Sequence, residues 1–334
     1  MIRRISAVIL AAILLALGML LCLAGCGQSN AMIMVGLALT DGEQETGTVL
    51  QSALEEAEHS VELACAKSAQ EQTEQLTSLM QDGASVLVIH SVDSVAVENL
   101  FSESKSDASN LSVIACGAPI NAECVKAYVG PDLYDAARQQ AQQVVKELNL
   151  DEPERACTVE LVAGNGAERA VAGAMEVLQP YVDKGTVIIT AGTDVASCHT
   201  LDAAGRIAQL CNGTYADHEL DAVLCLGEGQ TKQTIEALRE HYTGAAWPVV
   251  TGYGCDEEIV GYLRDKMLNM TVYADELSPE QLTEQVTAAV EATDEEEVQD
   301  KLLPCQAVTR SNYKKKLVET GLYTANKDGT FTKN

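Results

Sequence analysis

Past residue 32 the chain alternates between two hydrophobic rhythms. Short β-branched runs, apolar at nearly every position, are separated by longer stretches whose apolar residues recur three and four positions apart. Met32–Leu39 is a strand of the first kind, and Gly47–Glu58 then carries Val49, Leu50, Ala53, Leu54 and Ala57 at helical spacing. The spacing predicts further strands at Val61–Ala64, Val86–Ile89, Leu111–Ala115 and Ala127–Val129, with helices over Gln70–Gln81 and Val95–Ser104. Near Val129-Gly130-Pro131-Asp132 the pattern restarts with a helix over Leu133–Leu148. Strands follow at Thr158–Val162, Val187–Thr190, Ala222–Cys225, Val249–Thr251 and Met270–Tyr273. They alternate with helices over Ala170–Val182, Leu201–Cys211, Thr231–Glu240 and Glu257–Asp265. The tail adds a helix over Pro279–Ala292, an acidic run at Asp294–Glu297 that reads as a solvated loop, a strand near Leu302–Val308 and a helix from Asn312. Strands that are apolar without alternation belong to parallel sheets covered on both faces. Two copies of one βα plan therefore predict an α/β fold of two doubly wound, Rossmann-like lobes, each opening at the carboxyl ends of its strands.

Charge narrows the partners. Asp and Glu outnumber Lys and Arg 49 to 22, for a formal net charge of -27, and such a surface repels nucleic acid. With one Trp and two Phe beside ten Tyr, a site that sandwiches a flat ligand between rings has little to draw on. The N-terminus reads as a leader: Arg3 and Arg4 precede the uncharged apolar run Ala7–Leu23. Leu23-Ala24-Gly25-Cys26 resembles the lipobox of bacterial lipoproteins. That resemblance implies cleavage after residue 25 and lipid on the Cys26 thiol, which would hold the protein at the outer, extracytoplasmic side of the cell membrane. Residues 26–31 then form a short tether. Nine further cysteines remain, an odd number, and several lie in strand patterns (Cys65, Cys116, Cys225) where they read as buried free thiols.

Catalytic signatures are missing. There is no G-x-S-x-G elbow, no H-E-x-x-H and no G-x-x-x-x-G-K-[ST] loop. His59, His90, His199, His218 and His241 are scattered without metal-ligand spacing. Hence no catalytic residue, metal site or cofactor is expected, and the chain does not read as an enzyme. Gly164-Asn165-Gly166 and Gly227-Glu228-Gly229 lie at strand-to-helix turns, which present backbone N–H groups to ligands in open α/β sheets. By the same rule the candidate ligand contacts are Asp41, Asp93, Asn165, Arg169, Glu228, Tyr253 and Asp275, each past a strand's carboxyl end or at a crossover. Arg169, a rare cation, is expected either to pair with Glu228 or to meet an acidic group of the ligand.

Several stretches resemble the periplasmic sugar-binding proteins of ABC transporters, in particular the xylose and multiple-sugar receptors. They are Val35–Thr40, Gly83–Ile89, Gly173–Tyr181, Leu220–Leu224, Pro248–Gly252 and, most specifically, Ala307-Val308-Thr309-Arg310-Ser311-Asn312-Tyr313-Lys314. The resemblance implies the type I periplasmic-binding-protein fold, with lobes joined by three crossovers and closing on a sugar. The crossovers fall near Gly130–Leu133, Tyr273–Leu277 and Asp300–Pro304. The N-terminal lobe is then 32–132 with 275–301, and the C-terminal lobe 133–274 with 302–334.

The family's sugar grip is thinned in this sequence. Thr40–Glu45 carries no ring, and Cys116-Gly117-Ala118 stands where the family has an aromatic, an Asp and an Arg. Gly164–Arg169 keeps one Asn, Glu228 replaces an Asp, and Tyr253-Gly254 replaces Gln-Asp. The family function implied is capture of a sugar or sugar-like solute and its delivery to an ABC permease. The alternative is a sensory or interaction lipoprotein that keeps the clamshell, has lost sugar binding and signals to a membrane receptor.

Overall fold

A computed structural model describes residues 33–104, 111–190, 192–275, 277–292, 299–327 and 330–333. The leader, Cys26, the tether and the acidic run 294–297 lie outside the described residues. The first lobe begins with β1 (Met34–Thr40), α1 (Gln44–Glu56), β2 (Ser60–Ala66), α2 (Ala69–Gln81), β3 (Val86–Ile89), α3 (Ser94–Glu103), β4 (Ser112–Cys116) and β5 (Val125–Pro131). The second follows with α4 (Leu133–Glu147), β6 (Cys157–Val162), α5 (Ala167–Asp183), β7 (Val187–Ile188), α6 (Val195–Cys198) and α7 (Ala203–Asn212). It continues through β8 (Ala222–Cys225), α8 (Glu228–His241), β9 (Val249–Tyr253), α9 (Glu257–Arg264) and β10 (Met270–Ala274). The chain then returns to the first lobe with α10 (Pro279–Glu291) and β11 (Lys301–Leu303). It ends on the second with β12 (Cys305–Thr309), α11 (Tyr313–Glu319) and a hairpin of β13 (Tyr323–Ala325) and β14 (Phe331–Lys333).

The strand orders are β11-β5-β4-β3-β1-β2 and β12-β10-β9-β8-β6-β7. Within these two sheets every pairing among the described residues is parallel except β10 with β12. Apolar continuity in β3 has a direct cause. Leu87 and Ile89 pack with Leu76, Leu79, Val97 and Phe101 on one face, while Val86 and Val88 pack with Leu50, Leu54, Val286 and Val290 on the other. With both faces covered, no position in the strand is left for a polar side chain. Each sheet reverses its order once, between β1 and β3 and between β6 and β8. The crevice beyond those carboxyl ends is where open α/β sheets bind ligands.

Three expectations are corrected. The single strand near Leu302–Val308 is two strands, because Pro304 has no N–H to continue a ladder. Leu302 and Leu303 pair with Gly130 and Pro131 of β5, so they belong to the first lobe's sheet rather than to the second, where the sequence boundary placed them. The strand expected over Val187–Thr190 stops at Ile188, and Thr190 turns its hydroxyl to the Tyr215 hydroxyl at 3.2 Å. Neither the short α6 nor the β13–β14 hairpin is visible in the hydrophobic pattern. The hairpin is held by an edge contact between the Tyr313 and Phe331 rings, 5.7 Å between centroids.

Helices α4 and α5 cross at Gly173, where a Cβ would collide with the backbone carbonyl of Tyr134. Backbone cannot rotate aside as a side chain can, so this close approach requires glycine. Gly173→Ala is expected to destabilise the protein by roughly 2–3 kcal/mol in urea unfolding. Gly42→Ala, where a Cβ meets nothing within 4 Å, should be near neutral. Equal stabilities for the two variants would refute the crossing.

Candidate functional site

The turns beyond the two switch points face each other across a cleft. On the first lobe, His90 follows β3 directly and places Nδ1 2.6 Å from Glu43 Oε1, just past β1. Thr40 donates to the other Glu43 oxygen from its N–H at 3.1 Å and from its hydroxyl at 2.8 Å. Burial opposes the charge on Glu43, but the hydrogen bond and positive charge of His90, with the Thr40 donors, outweigh it and hold the carboxyl below its ordinary value. The loop carrying His90 is fixed by Gln72, fully buried on α2, which donates to the His90 carbonyl at 2.9 Å and accepts from Val92 N–H at 2.8 Å. The His90 ring occupies the space that a side chain at position 117 would fill. Gly117 also has φ +71°, a conformation that favours glycine. The space beside Gly117 is thus taken by an imidazole–carboxylate pair brought from other strands.

The second lobe contributes a cavity of about 360 Å³ beyond β8, β9 and β10. Glu228, Tyr253, Asp256, Tyr273 and Asp275 line it, and Leu322 and Lys333 from the tail close one side. Lys232 bridges Glu228 at 3.3 Å and Asp256, so one ammonium offsets half the charge of the two carboxylates. Gln306 donates to Asp275 at 3.2 Å. Cys255 also lines the cavity. Burial pushes its thiol up to about 12, so it stays protonated at neutral pH and is no nucleophile.

The structure thus brings Glu228, Tyr253 and Asp275 together and places the other expected contacts elsewhere. Asp41 sits on the rim beside Lys67, 3.9 Å away and largely exposed. Asp93 caps α3, its carboxylate accepting from Val95 and Ala96 N–H at 3.0 and 3.2 Å. Asn165 reaches across to the first lobe, bonding Ser91, Val92 and Ser94. Arg169 does not meet Glu228. It pairs with Asp300 at 2.7 Å and lies over the Tyr128 ring, 5.2 Å from its centroid. A second cavity, about 610 Å³, separates the lobes beside Arg169 and is lined by Ser94, Glu98, Asn121, Tyr134 and Glu168 among others. Among the described residues, no group of three or more His, Cys, Asp or Glu is placed to hold a metal ion.

Sequence reasoning passed over Glu43, His90, Lys232, Asp256 and Asp300. The strand-end rule that selects Asp41 and Asp93 selects Glu43 and His90 equally. Metal-ligand spacing alone does not single out His90.

Two doubly wound lobes, facing each other through their carboxyl-end turns with the chain crossing at 132, after 274 and at 304, define a hinged binding protein. The chain belongs to the periplasmic binding protein domain family, whose model matches residues 31–296. It is 27% identical over 281 residues to the multiple sugar-binding periplasmic receptor ChvE of Rhizobium radiobacter, covering 76% of this chain and 79% of that one. Similar identity, 27% over 279 residues, links it to the multiple sugar-binding periplasmic protein SbpA of Azospirillum brasilense, covering 76% of this chain and 78% of that one. Among solved structures it resembles an ABC transporter solute-binding protein from Clostridium phytofermentans with bound β-D-glucose. The TM-score is 0.67 at 26% identity, covering 89% of this chain and 99% of that one. This family consists of solute-binding proteins rather than enzymes.

The Glu43–His90 pair has a pH signature. A lowered carboxyl pKa contributes stability that is fully present above the ordinary value of 4.5 and is lost as pH falls through the folded value. Glu43→Gln should cost about 1–2 kcal/mol of unfolding free energy at pH 7, and the gap to wild type should close towards pH 3. A gap that is constant between those pH values would exclude the charge pairing.

Proposed function

We propose that this protein is the extracytoplasmic solute-binding component of an ABC importer, held at the membrane through lipid on Cys26, and that it captures a carbohydrate-like ligand by closure of its lobes. The observation that carries this reading is the second-lobe cavity, where Glu228, Tyr253 and Asp275 converge with Tyr273. Carboxylates accept hydrogen bonds from sugar hydroxyls, and a tyrosine ring covers an apolar sugar face while its hydroxyl bonds. Glu43 and His90, past β1 and β3 of the first lobe, are the acceptor and donor that closure would bring to the solute. Sugar binding by the relatives named above supports the ligand class. Anchoring is supported by Leu23-Ala24-Gly25-Cys26 after its apolar run, since cleavage there would leave few residues between lipid and β1. Capture, closure and delivery to a permease need no cofactor.

Two observations favour a second reading, a clamshell that signals to a membrane receptor. Asn165, the retained family asparagine, is engaged by the opposite lobe. Gly117 and Ala118 offer no side-chain hydrogen bond where the family has Asp and Arg.

Losing matched polar partners costs roughly 1–3 kcal/mol each, about one to two decades in affinity. Xylose, glucose, galactose and arabinose are therefore expected to bind more weakly than about micromolar in isothermal titration. Mass spectrometry of small molecules released from the purified protein should identify a polyhydroxylated solute. Its affinity should fall about tenfold in Tyr253→Ala and in Asp275→Asn. Tight binding that neither variant weakens would move the site out of this cavity. Absence of any released solute, with no aldose bound, would favour the receptor-signalling reading.

A further inference from the structure

The turn between β6 and α5 is where a binding protein of this architecture would present polar groups to a solute. Here it is committed to the protein itself. Asn165 has one carbonyl oxygen and two N–H donors on its side chain, and all three engage the first lobe. Oδ1 accepts from Ser94 N–H at 3.0 Å, while Nδ2 donates to the carbonyls of Ser91 at 3.0 Å and Val92 at 3.1 Å. Four residues on, Arg169 reaches the far side of the same lobe. Its guanidinium pairs with Asp300 at 2.7 Å over the Tyr128 ring. Asp300 is itself tied to the first sheet, accepting from Tyr128 N–H at 2.9 Å. Between them Gly166, at φ +73°, lies so close to Pro119 of the first lobe that a Cβ would come within 2.8 Å of its ring. The turn is therefore docked at three points spread along the lobe.

We propose that residues 164–169 form a ligand-independent latch that sets the balance between the closed and open lobes. The bonds it makes are to backbone carbonyls, a backbone N–H and a crossover carboxylate, none of which a solute supplies. The 610 Å³ interlobe cavity lies beside the turn and is lined by Gly166 and Arg169. The sequence encodes this economically: a Gly-Asn-Gly turn short enough to bring Asn165 to the opposite backbone, followed by a first helical turn that aims Arg169 at the crossover. A side chain saturated by the opposite lobe has nothing further to donate to a ligand, so Asn165 acts by positioning the lobes. This inference does not depend on the identity of the solute, because the equilibrium it describes exists in the empty protein.

Small-angle scattering of purified, solute-free protein tests it, read together with amide exchange at Ser94, whose N–H is bonded only when the latch is shut. Wild type should scatter as the closed form and protect the Ser94 amide. Asn165→Ala with Arg169→Ala should raise the radius of gyration and speed Ser94 exchange about tenfold or more. Asn165→Asp, which replaces two donors by an acceptor facing carbonyls, should open the lobes in the same direction. Cooperative melting and an unchanged circular dichroism spectrum identify folded variants, and either variant alone suffices for the comparison. A wild type that already scatters as an open form would overturn the latch. So would folded variants whose scattering and Ser94 exchange match wild type.

Discussion

Burial of both faces of each parallel sheet is the constraint on which the rest depends. Residues such as Leu37, Val88, Leu161 and Leu224 have no exposure at all, because helices cover the sheet above and below. A polar side chain inside a strand must then find a partner within the core or be excluded. Glu160 of β6, Thr251 of β9 and Thr271 of β10 meet that condition: all three are fully buried, and they bond the Tyr215 hydroxyl, Gln140 and the Gly254 carbonyl respectively. The solute-facing groups are displaced to the turns past the strands' carboxyl ends, and the two reversals of strand order decide which turns face each other. The cleft is thus a consequence of how the apolar runs are packed, and its residues can change without altering the sheets.

That freedom explains the character of the site. A glycine at 117 would by itself leave a hole in the first lobe's face. His90 fills it, and Glu43 backs the imidazole with a carboxylate that the Thr40 cap also serves. On the second lobe the carboxylates of Glu228 and Asp256 share Lys232, which limits the repulsion among acids in a strongly acidic protein. The second-lobe face keeps an excess of carboxylates, with Asp275 bonded by the neutral Gln306, so it is suited to hydroxyl donors and repels an anionic solute.

Much of the scaffold was legible in the sequence because apolar periodicity reports burial directly. Val86–Ile89 and Ala222–Cys225 have the bounds that the pattern predicts. The misses have physical causes. Pro304 splits a run that hydropathy alone joins, and β7, an edge strand, leaves Ile188 exposed and pairs for only two residues. The hairpin at the tail depends on the Tyr313–Phe331 ring contact and on the buried Tyr323, whose hydroxyl bonds the Cys255 carbonyl at 2.6 Å, and neither carries a periodicity. At the site, strand-end position is readable, but partner choice is not. Nothing local to Arg169 announces Asp300, which is 131 residues away. Nor does position 117 announce His90, since that contact exists only once β3 and β4 lie side by side.

The central claim is that the solute binds against Glu228, Tyr253 and Asp275, with the Glu43–His90 pair facing it. A crystal structure of the protein grown with the solute that copurifies with it tests this most directly. The account predicts density for a polyhydroxylated molecule within hydrogen-bond distance of Asp275 or Glu228 and stacked on Tyr253, with His90 or Glu43 bonding it from the other lobe. Density elsewhere in the cleft, with these side chains bonded only to protein, would contradict it.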